Sequence, residues 1–259
     1  ILSKLKNQKI ENVIMEASSH GLKQNRLDGL KFNSGIFTNL SQDHLDYHKN
    51  IKNYLDAKLY LFKNLIKKKG NVITDQLIPE FKKIKKITIN KKLKLYALND
   101  KKKNLQVISH SFKGEAQSFK IRFNNSIQNI NLNLIGKIQL KNVLMAIIAA
   151  KYSCISLDKI LNTIPKLKPV EGRFEKIGKI KNQSKVILDY AHTPDALKTC
   201  LLNLREQFPN KKITVLFGCG GNRDQNKRSK MGKIASDYAD SITLTNDNPR
   251  FENPQKIRR

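Results

Sequence analysis

The stretch VILDYAHTPDALKTCLLNLREQFPNKKITVLF, residues 186–217, decides the fold class of this chain. It opens with the apolar run Val186-Ile187-Leu188 and closes with Ile213 to Phe217. Short apolar runs of this kind are typical of buried strands. Between them, Thr193-Pro194 predicts the start of a helix, with threonine as the N-cap and proline in the first turn. That helix has leucines on one face, at positions 197, 201 and 204, so the element order is β-α-β.

The same alternation continues beyond residue 217. A helix is predicted over Met231–Ala239 and a third strand over Ile242–Leu244. The resulting βαβαβ order indicates a Rossmann-like half-sheet. The turn at residues 217–224 is rich in glycine, but Arg223 occupies the third glycine position of a GxGxxG motif. The sequence therefore gives only weak support for a dinucleotide site.

The preceding part of the chain predicts a separate α/β domain. Apolar runs that end in polar residues, at 12–15 and 35–40, and a run at 71–74 predict buried parallel strands, and helical periodicity runs from Tyr54 to Ile66. Later runs predict successive, partly antiparallel strands: Ile87–Ile89, Leu93–Ala97, Leu105–Ile108, Phe119–Phe123 and Ile130–Leu134.

Two more helices are predicted before the domain boundary, over 140–152 and 157–164. Pro165 and Pro169 then mark a linker, so we place the boundary near Lys168. The predicted domains are residues 1–168 and 169–259.

Composition limits the class of protein. The 259 residues are 39% hydrophobic, which is enough for folded cores, and the longest apolar run has only eight residues, 143–150. A membrane span needs about 20, so we expect no membrane insertion. Three distant cysteines without a CxxC pair argue against structural zinc or a disulfide framework and favour a reducing cytoplasm: Cys154, Cys200 and Cys219.

The net charge of +29 raises the alternative of a nucleic-acid-binding module. Between Lys63 and Lys103, 14 lysines face three acidic residues. However, the segment has no RNA-binding aromatic signature, zinc finger or helix-turn-helix, and lysine is abundant along the whole chain. A solvated basic face that also attracts anionic substrates is the preferred interpretation, and we expect no specific nucleic-acid partner.

Three segments carry residues that could do chemistry. Glu16 follows a predicted strand, where a carboxylate can hold Mg²⁺, although solvated strand ends also carry glutamate. His44 and His48 have zincin spacing, but Leu45 stands where HExxH needs glutamate, so a polar loop with one histidine near a metal or phosphate is favoured over a zinc protease. Asp189-Tyr190-Ala191-His192 joins a strand to a helix start that favours anions; the alternative is a capped helix with an incidental histidine.

Four segments, in this order, resemble the Mur ligase family, and within it the members that add meso-diaminopimelate. They are MEASSHGLKQNRLDGLKFNSGIFTNLSQDHLDYHKNIKNYLDAKLYLF (15–62), DYAHTPDAL (189–197), LFGCGGNRDQNKRSKMGKIA (216–235) and DNPR (247–250). The resemblance implies an ATP- and Mg²⁺-dependent amide ligase of peptidoglycan precursor synthesis. It would phosphorylate the carboxylate of UDP-MurNAc-L-Ala-D-Glu to an acyl phosphate, which the amine of meso-diaminopimelate attacks. A lysine-adding relative and a folylpolyglutamate synthetase-like ligase are the alternatives.

The resemblance also implies a fold and a set of site residues. The fold would be a central P-loop-type ATPase domain, mostly parallel with added antiparallel strands, and a truncated Rossmann-like C-terminal domain. We expect a monomer, and we expect the P-loop before Ile1, so that this fragment alone would not turn over. The implied Mg²⁺ ligands are Glu16, His44 and Lys58, the last as a carbamate. The implied UDP-MurNAc-dipeptide contacts are Ser18, Gln24 and Arg26. The implied ATP contacts are Asn142, Arg173, Asp189 and His192. The implied meso-diaminopimelate contacts are Arg223, Asp247, Asn248, Pro249 and Arg250.

Overall fold

The first half of the chain contains a three-stranded parallel sheet. The computed structural model describes residues 2–100, 105–123 and 126–259, so part of the lysine-rich segment 63–103 lies outside the described residues. The sheet has the order β1 (Phe32–Ile36), β2 (Ile66–Asp75), β3 (Lys94–Leu98). Its helices are α1 (Leu2–Asn7), α2 (Ser19–Lys23), α3 (Leu45–His48), α4 (Ile51–Tyr60) and α5 (Phe81–Asn90).

Two predicted strands are wrong. Residues 12–15 lie in an extended segment outside any sheet that the structure describes, and Ile14 is 99% exposed. An apolar run becomes a strand only where a neighbour supplies hydrogen bonds and cover. The run Ile87–Ile89 lies inside α5, because Ile84 and Thr88, four residues apart, are buried together on one helix face.

The predicted helix from Tyr54 to Ile66 is shorter in the structure. Helix α4 ends at Tyr60, a π-helical turn covers Leu61–Leu65, and β2 begins at Ile66. The apolar spacing across the π turn still buries Leu61, Phe62 and Leu65 in the core. Helical periodicity therefore continued beyond the α-helix itself.

A three-stranded antiparallel sheet follows, as predicted. Its strands are β4 (Leu105–Lys113), β5 (Ala116–Phe123) and β6 (Ser126–Leu132). Buried residues alternate along the central strand β5, at 117, 119, 121 and 123, as the two-residue strand period requires. This face packs on helix α6 (Lys137–Lys151), whose buried side chains join the largest core cluster. A salt bridge of 2.6 Å from Lys141 of α6 to Asp75 links that helix to the end of β2.

From residue 185 onward the second half alternates strands and helices as predicted, but an additional strand precedes this series and the strands form two separate pairs. After α7 (Leu157–Thr163), the elements are β7 (Glu175–Lys179), β8 (Lys185–Leu188), α8 (Pro194–Gln207), β9 (Thr214–Phe217), α9 (Asn226–Tyr238), β10 (Ser241–Leu244) and α10 (Pro254–Arg258). Strand β8 pairs antiparallel with β7, and β9 pairs parallel with β10. Among the described residues β8 therefore does not share a sheet with β9, in contrast to the predicted single half-sheet, because its hydrogen bonds go to β7.

The start of helix α8 confirms the prediction from Thr193-Pro194. The Thr193 hydroxyl accepts a hydrogen bond from the Ala196 amide at 3.3 Å, and Pro194 occupies the first turn. This cap fixes where the helix begins.

Helix α8 in turn caps the N-terminus of α6, which joins the two halves of the chain. The Gly136 amide donates to Gln207 Oε1 at 2.7 Å, and the Ile138 amide donates to Asn203 Oδ1 at 2.9 Å. These amides belong to the first turn of α6, where no intrahelical acceptor exists. Gly136 also needs its positive φ of 88°, and a Cβ there would lie 3.1 Å from the Phe174 ring. Side chains of α8 in the second half thus accept hydrogen bonds from the N-terminal amides of α6 in the first half.

Among the described residues, the helices are all too short or too polar to cross a bilayer.

Candidate active site

Asp43 connects the loop after β1 to the second half of the chain. Its Oδ1 accepts from the His44 amide at 2.8 Å, and its Oδ2 lies 3.2 Å from His192 Nε2 and 3.4 Å from His44 Nε2. Burial acts to raise the pKa of Asp43, but hydrogen bonds from His192 and the His44 backbone outweigh it and hold that pKa below its usual range. The carboxylate is therefore a fixed negative charge at the junction.

His192 makes hydrogen bonds with acceptors on both sides of its ring. Nε2 faces the Asp43 carboxylate, and Nδ1 lies 3.0 Å from the Tyr190 carbonyl oxygen. Because both partners accept, both contacts are hydrogen bonds only when both ring nitrogens carry protons. The hydrogen bond to Asp43 raises the pKa of His192 accordingly, against the opposing effect of burial. The geometry favours an imidazolium at this position.

Lys58 lies beside two aromatic rings and donates to the Asn39 carbonyl at 3.5 Å. Its Nζ is 5.1 Å from the centre of the Tyr54 ring and 5.8 Å from that of Phe37. Burial lowers the pKa of Lys58, while the carboxylates of Asp43, Glu16 and Glu80 act in the opposite direction. A lowered pKa increases the fraction of neutral amine, which is the nucleophilic form that could react with CO₂.

Two of the three implied Mg²⁺ ligands, His44 and Lys58, lie against the Tyr54 ring. The His44 ring packs edge-on against Tyr54 with centroids 5.9 Å apart, and Lys58 faces the same ring. Within the described ranges, no three His, Cys, Asp or Glu side chains are arranged to hold a metal. Glu80 Oε2 is buried without a hydrogen-bond partner, and together with Glu16 it adds negative potential near Lys58. A carbamate on Lys58 would add an oxygen ligand of the type that Mg²⁺ prefers.

The implied UDP-MurNAc-dipeptide contacts lie at helix α2. Ser18 Oγ accepts from the Gly21 amide at 3.1 Å and caps the helix, and Gln24 Nε2 donates to the Tyr47 hydroxyl at 3.1 Å. Arg26 follows α2, and its Cδ would lie 3.9 Å from a Cβ at Gly21. The structure thus places all three around one short helix.

Sequence reasoning missed the aromatic side chains that join α2 to α3. The His20 ring lies 4.3 Å from Tyr47, 4.8 Å from His44 and 5.4 Å from His48, between ring centroids. His48 is buried and hydrogen-bonded to Ser19 at 3.0 Å. The sequence feature that could have identified His20 is its position directly after Ser18-Ser19, within the longest segment that resembles the family. These contacts bring residues 16–26 and 43–48 together.

Three of the four implied ATP contacts, Arg173, Asp189 and His192, lie beside Tyr190. The Arg173 guanidinium lies 4.6 Å from the Tyr190 ring centre. Asp189 accepts from the Phe174 and Ala191 amides, both at 3.0 Å, and burial raises its pKa despite these bonds. Asn142, on α6, is connected through Gln139, which contacts Asn142 at 3.4 Å and the Arg173 carbonyl at 3.2 Å. The structure therefore brings Asn142, Arg173, Asp189 and His192 to one region.

The glycine-rich turn packs against the DNPR segment, residues 247–250. The Gly221 amide donates to the Asn248 carbonyl at 2.9 Å, and Arg250 Nη1 donates to the Gly221 carbonyl at 2.7 Å. A Cβ on Gly221 would lie 1.9 Å from the Pro249 carbonyl oxygen. Because Gly221 has no side chain, its backbone can contact the backbone of Pro249. This packing explains the glycine at position 221 without a bound dinucleotide.

Arg223 extends from this turn to the first half of the chain. Its Nη1 lies 3.8 Å from Asp46 Oδ2, and both side chains are more than half exposed. Such an exposed pair contributes little energy. The pair nevertheless shows that the Arg223 side chain lies next to the segment that holds Asp43 and His44.

A cleft of about 500 Å³ opens beside this loop. Ser41 and Gln42 line one side, Glu80 another, and Asp195 from the start of α8 contributes from the second half. The cleft therefore lies next to the segment that holds Asp43 and His44, and its lining comes from both halves of the chain.

Comparison with known proteins identifies the family of this chain. The family model for the Mur ligase middle domain matches residues 1–150, and the model for the Mur ligase glutamate ligase domain matches residues 172–259. A UDP-N-acetylmuramoyl-L-alanyl-D-glutamate–2,6-diaminopimelate ligase from Rickettsia typhi is 41% identical over 259 residues, which is 100% of this chain and 52% of the relative. The protein of the same name from Leptospira interrogans is 37% identical over 261 residues, which is 99% and 51%.

Solved structures are similar over most of this chain. A structure of a UDP-N-acetylmuramoyl-L-alanyl-D-glutamate–2,6-diaminopimelate ligase matches with a TM-score of 0.65 and 32% identity, covering 93% of this chain and 49% of that one. Folylpolyglutamate synthetase from Lactobacillus casei matches with a TM-score of 0.60 and 18% identity, over 85% and 52%, which concerns the α/β fold alone. The chain spans about half the length of these relatives.

Proposed function

This chain belongs to the Mur ligase family, and we propose that the protein containing it joins 2,6-diaminopimelate to UDP-MurNAc-L-Ala-D-Glu at the expense of ATP. The names of relatives at about 40% identity support the proposal. One structural observation carries it. The segment 43–48, which includes α3, contacts both His192, an implied nucleotide contact, and Arg223, an implied amino-acid contact. The nucleotide and the amino acid would therefore meet at this segment.

In the proposed reaction, the terminal carboxylate of the UDP-linked peptide takes the γ-phosphoryl group of ATP and becomes an acyl phosphate. The amine of diaminopimelate then attacks the acyl carbon, the amide bond forms and phosphate leaves. Such chemistry depends on holding the reactants in line and on charges aimed at the transferring group. The imidazolium of His192 and the guanidinium of Arg173 supply positive charge on the side of the second half, while Asp43 fixes the orientation of His192.

Glu16, His44 and carbamylated Lys58 would hold Mg²⁺ in this proposal. The bound ion neutralises negative charge on phosphoryl oxygens. The contribution of the chain is a part-buried position for Lys58 beside the Tyr54 and Phe37 rings, where burial lowers the pKa of its amine. That environment supports conversion of the ammonium to a carbamate, which carries a negative charge.

The amino-acid site would use the two arginines of the glycine-rich turn and the DNPR segment. Diaminopimelate differs from lysine by a second carboxylate, which an arginine can bind bidentately. Arg250 has five N–H donors, and its bond to Gly221 engages one nitrogen. The Asn248 side chain accepts from the Arg250 amide at 3.1 Å and stabilises the turn. Asp247 and Pro249 complete the segment, and Pro249 stiffens it.

The UDP-linked substrate would bind along helix α2. Ser18 and Gln24 are held by the Gly21 amide and by Tyr47, respectively, and Arg26 adds a positive charge after the helix. The excess of basic residues in the whole chain also supports an anionic substrate.

We further propose the finer domain assignment. Residues 1–168 would belong to the central, P-loop-type ATP-binding domain, and residues 169–259 to the Rossmann-like C-terminal domain. The interval between the two family-model matches supports a boundary near Lys168. A cytoplasmic monomer is proposed as well, and three free cysteines support a reducing compartment.

The test is a competition assay with the full-length protein that contains this chain. UDP-MurNAc-L-Ala-D-Glu, ATP and Mg²⁺ are supplied with equal amounts of meso-diaminopimelate and lysine, and the products are separated by mass. We expect the diaminopimelate product to dominate, with one ADP formed per amide bond. Equal use of lysine, or ADP formation without any amide product, would reject the proposal.

A further inference from the structure

Glu252 makes an unusual number of contacts for a residue two positions beyond the DNPR segment. Its Oε1 accepts from the Asn222 amide and from Arg228 Nη2 at 3.0 Å. Its Oε2 lies 2.9 Å from Arg228 Nη2 and 3.5 Å from Gln225 Nε2. Both carboxylate oxygens are thus engaged by the glycine-rich turn and the start of α9.

These contacts join the two segments that carry the arginines. Asn222 immediately precedes Arg223, and Glu252 follows Arg250 by two residues. A reciprocal bond reinforces the link, because the Phe251 amide donates to Asn222 Oδ1 at 3.0 Å. Asn222 and Arg250 have positive φ angles of 51° and 48°. Non-glycine residues keep such angles only where their surroundings hold them.

We propose that Glu252 is a positioning residue for amino-acid selection, which fixes Arg223 and Arg250 relative to each other. The inference rests on the proposed function for the identity of the ligand, a diamino dicarboxylic acid. Glu252 would act through the two arginines and would not touch the amino acid itself, since its oxygens are occupied by Asn222, Arg228 and Gln225.

Arg228 also holds Glu252 against the glycine-rich turn. Its side chain is 17% exposed, against 56% for Arg223, and it also donates to the Gly220 carbonyl at 3.4 Å. It is therefore a bridge between Glu252 and the turn, whereas Arg223 is the accessible arginine.

The inference predicts a selective kinetic defect. Weakening one charge-assisted hydrogen bond to the amino acid costs roughly 10- to 100-fold in affinity, so we expect Glu252→Ala to lower kcat/KM for diaminopimelate by about that factor, mainly through KM. The KM values for ATP and for the UDP-linked substrate should stay within about twofold, since neither implied site involves this contact. Glu252→Gln keeps an oxygen for the Asn222 amide but loses the ion pair with Arg228, and should fall in between.

The experiment compares four full-length proteins: wild type, Glu252→Ala, Glu252→Gln and the control Asp237→Asn, which removes an exposed ion pair with Lys233 on the outside of α9. Steady-state kinetics are combined with hydrogen–deuterium exchange of residues 218–225. We expect faster exchange at this turn in both Glu252 variants and wild-type behaviour in the control. An unchanged KM for diaminopimelate, or an equal rise in all three KM values, would overturn the inference.

Different results would refute the proposed function and the positioning role of Glu252. If the wild type does not use diaminopimelate, the proposed function fails together with the ligand named here. Unchanged exchange at residues 218–225 in a folded Glu252→Gln variant would overturn the positioning role of Glu252, even in an enzyme that selects diaminopimelate.

Discussion

Replacing Gln207 with alanine should weaken the junction between the two halves of the chain. Gln207 is 5% exposed, its Oε1 accepts from the Gly136 amide at 2.7 Å and its Nε2 donates to the Gly114 carbonyl at 2.9 Å. Alanine removes both bonds. The Gly114 carbonyl can turn to water because Gly114 is exposed, whereas Gly136 is buried. The main cost is therefore one buried amide without an acceptor.

The expected magnitude follows from this single group. A buried donor left without a partner costs about 1–3 kcal/mol, so the free energy of unfolding should fall by about 2 kcal/mol. That is a substantial part of the ~5–15 kcal/mol by which native proteins are stable. With an m-value of about 3 kcal/mol/M, the urea midpoint should fall by roughly 0.7 M.

Equilibrium urea unfolding of the wild type, Gln207→Ala and Gln255→Ala provides the assay. Gln255 is exposed on α10, and a surface substitution of this kind changes stability by less than about 0.5 kcal/mol. A midpoint for Gln207→Ala equal to that of the Gln255→Ala control would refute the reasoning, because it would mean that the Gly136 amide finds another acceptor.

Three further predictions concern the site and the core. Lys58→Ala should nearly abolish turnover of the full-length enzyme, with partial rescue by bicarbonate or a short carboxylic acid, because the variant lacks the proposed carbamate ligand; wild-type activity would contradict this. Arg250→Ala should reduce the preference for diaminopimelate over lysine by roughly 10- to 100-fold, since a charged hydrogen bond contributes about 1.5–3 kcal/mol; an unchanged product ratio in the competition assay would contradict it. Burial acts to raise the pKa of Asp75, but hydrogen bonds from Lys141, the Leu77 amide and Asn99 hold it below its usual range. The stabilisation is therefore present above the unfolded pKa of about 3.9 and is lost as pH falls through the lower folded pKa. Asp75→Asn should flatten this acid limb in thermal melts between about pH 5 and 2, and an unchanged limb would show that Asp75 is not its source.

Some features could be predicted because their causes are local. Thr193-Pro194 starts a helix because the Thr193 hydroxyl accepts a hydrogen bond from the Ala196 amide, only three residues further along the chain. The alternation along β5 buries every second side chain because the strand geometry repeats every two residues. Similarly, the segments 15–62, 189–197, 216–235 and 247–250 were sufficient to indicate the family, since each is an uninterrupted stretch of sequence.

Other features depended on partners that local sequence does not specify. The run Ile87–Ile89 suits a strand by its β-branched side chains, yet it became helical because Ile84 and Thr88 have a common core surface to pack on. Residues 12–15 have the same apolar character and form no strand, because the described sheets offer them no paired neighbour.

The sequence by itself determined the family, the start of α8 and the alternation along β5, and it nominated candidate site residues. Only the tertiary structure decided which of them meet. Asp43 contacts His192 across 149 positions, and Asn222 contacts Glu252 across 30. The physical reason is that each such contact depends on the packing of whole elements, which sets the distance between two side chains, whereas spacing along the chain sets only the face of a helix or strand on which each one lies.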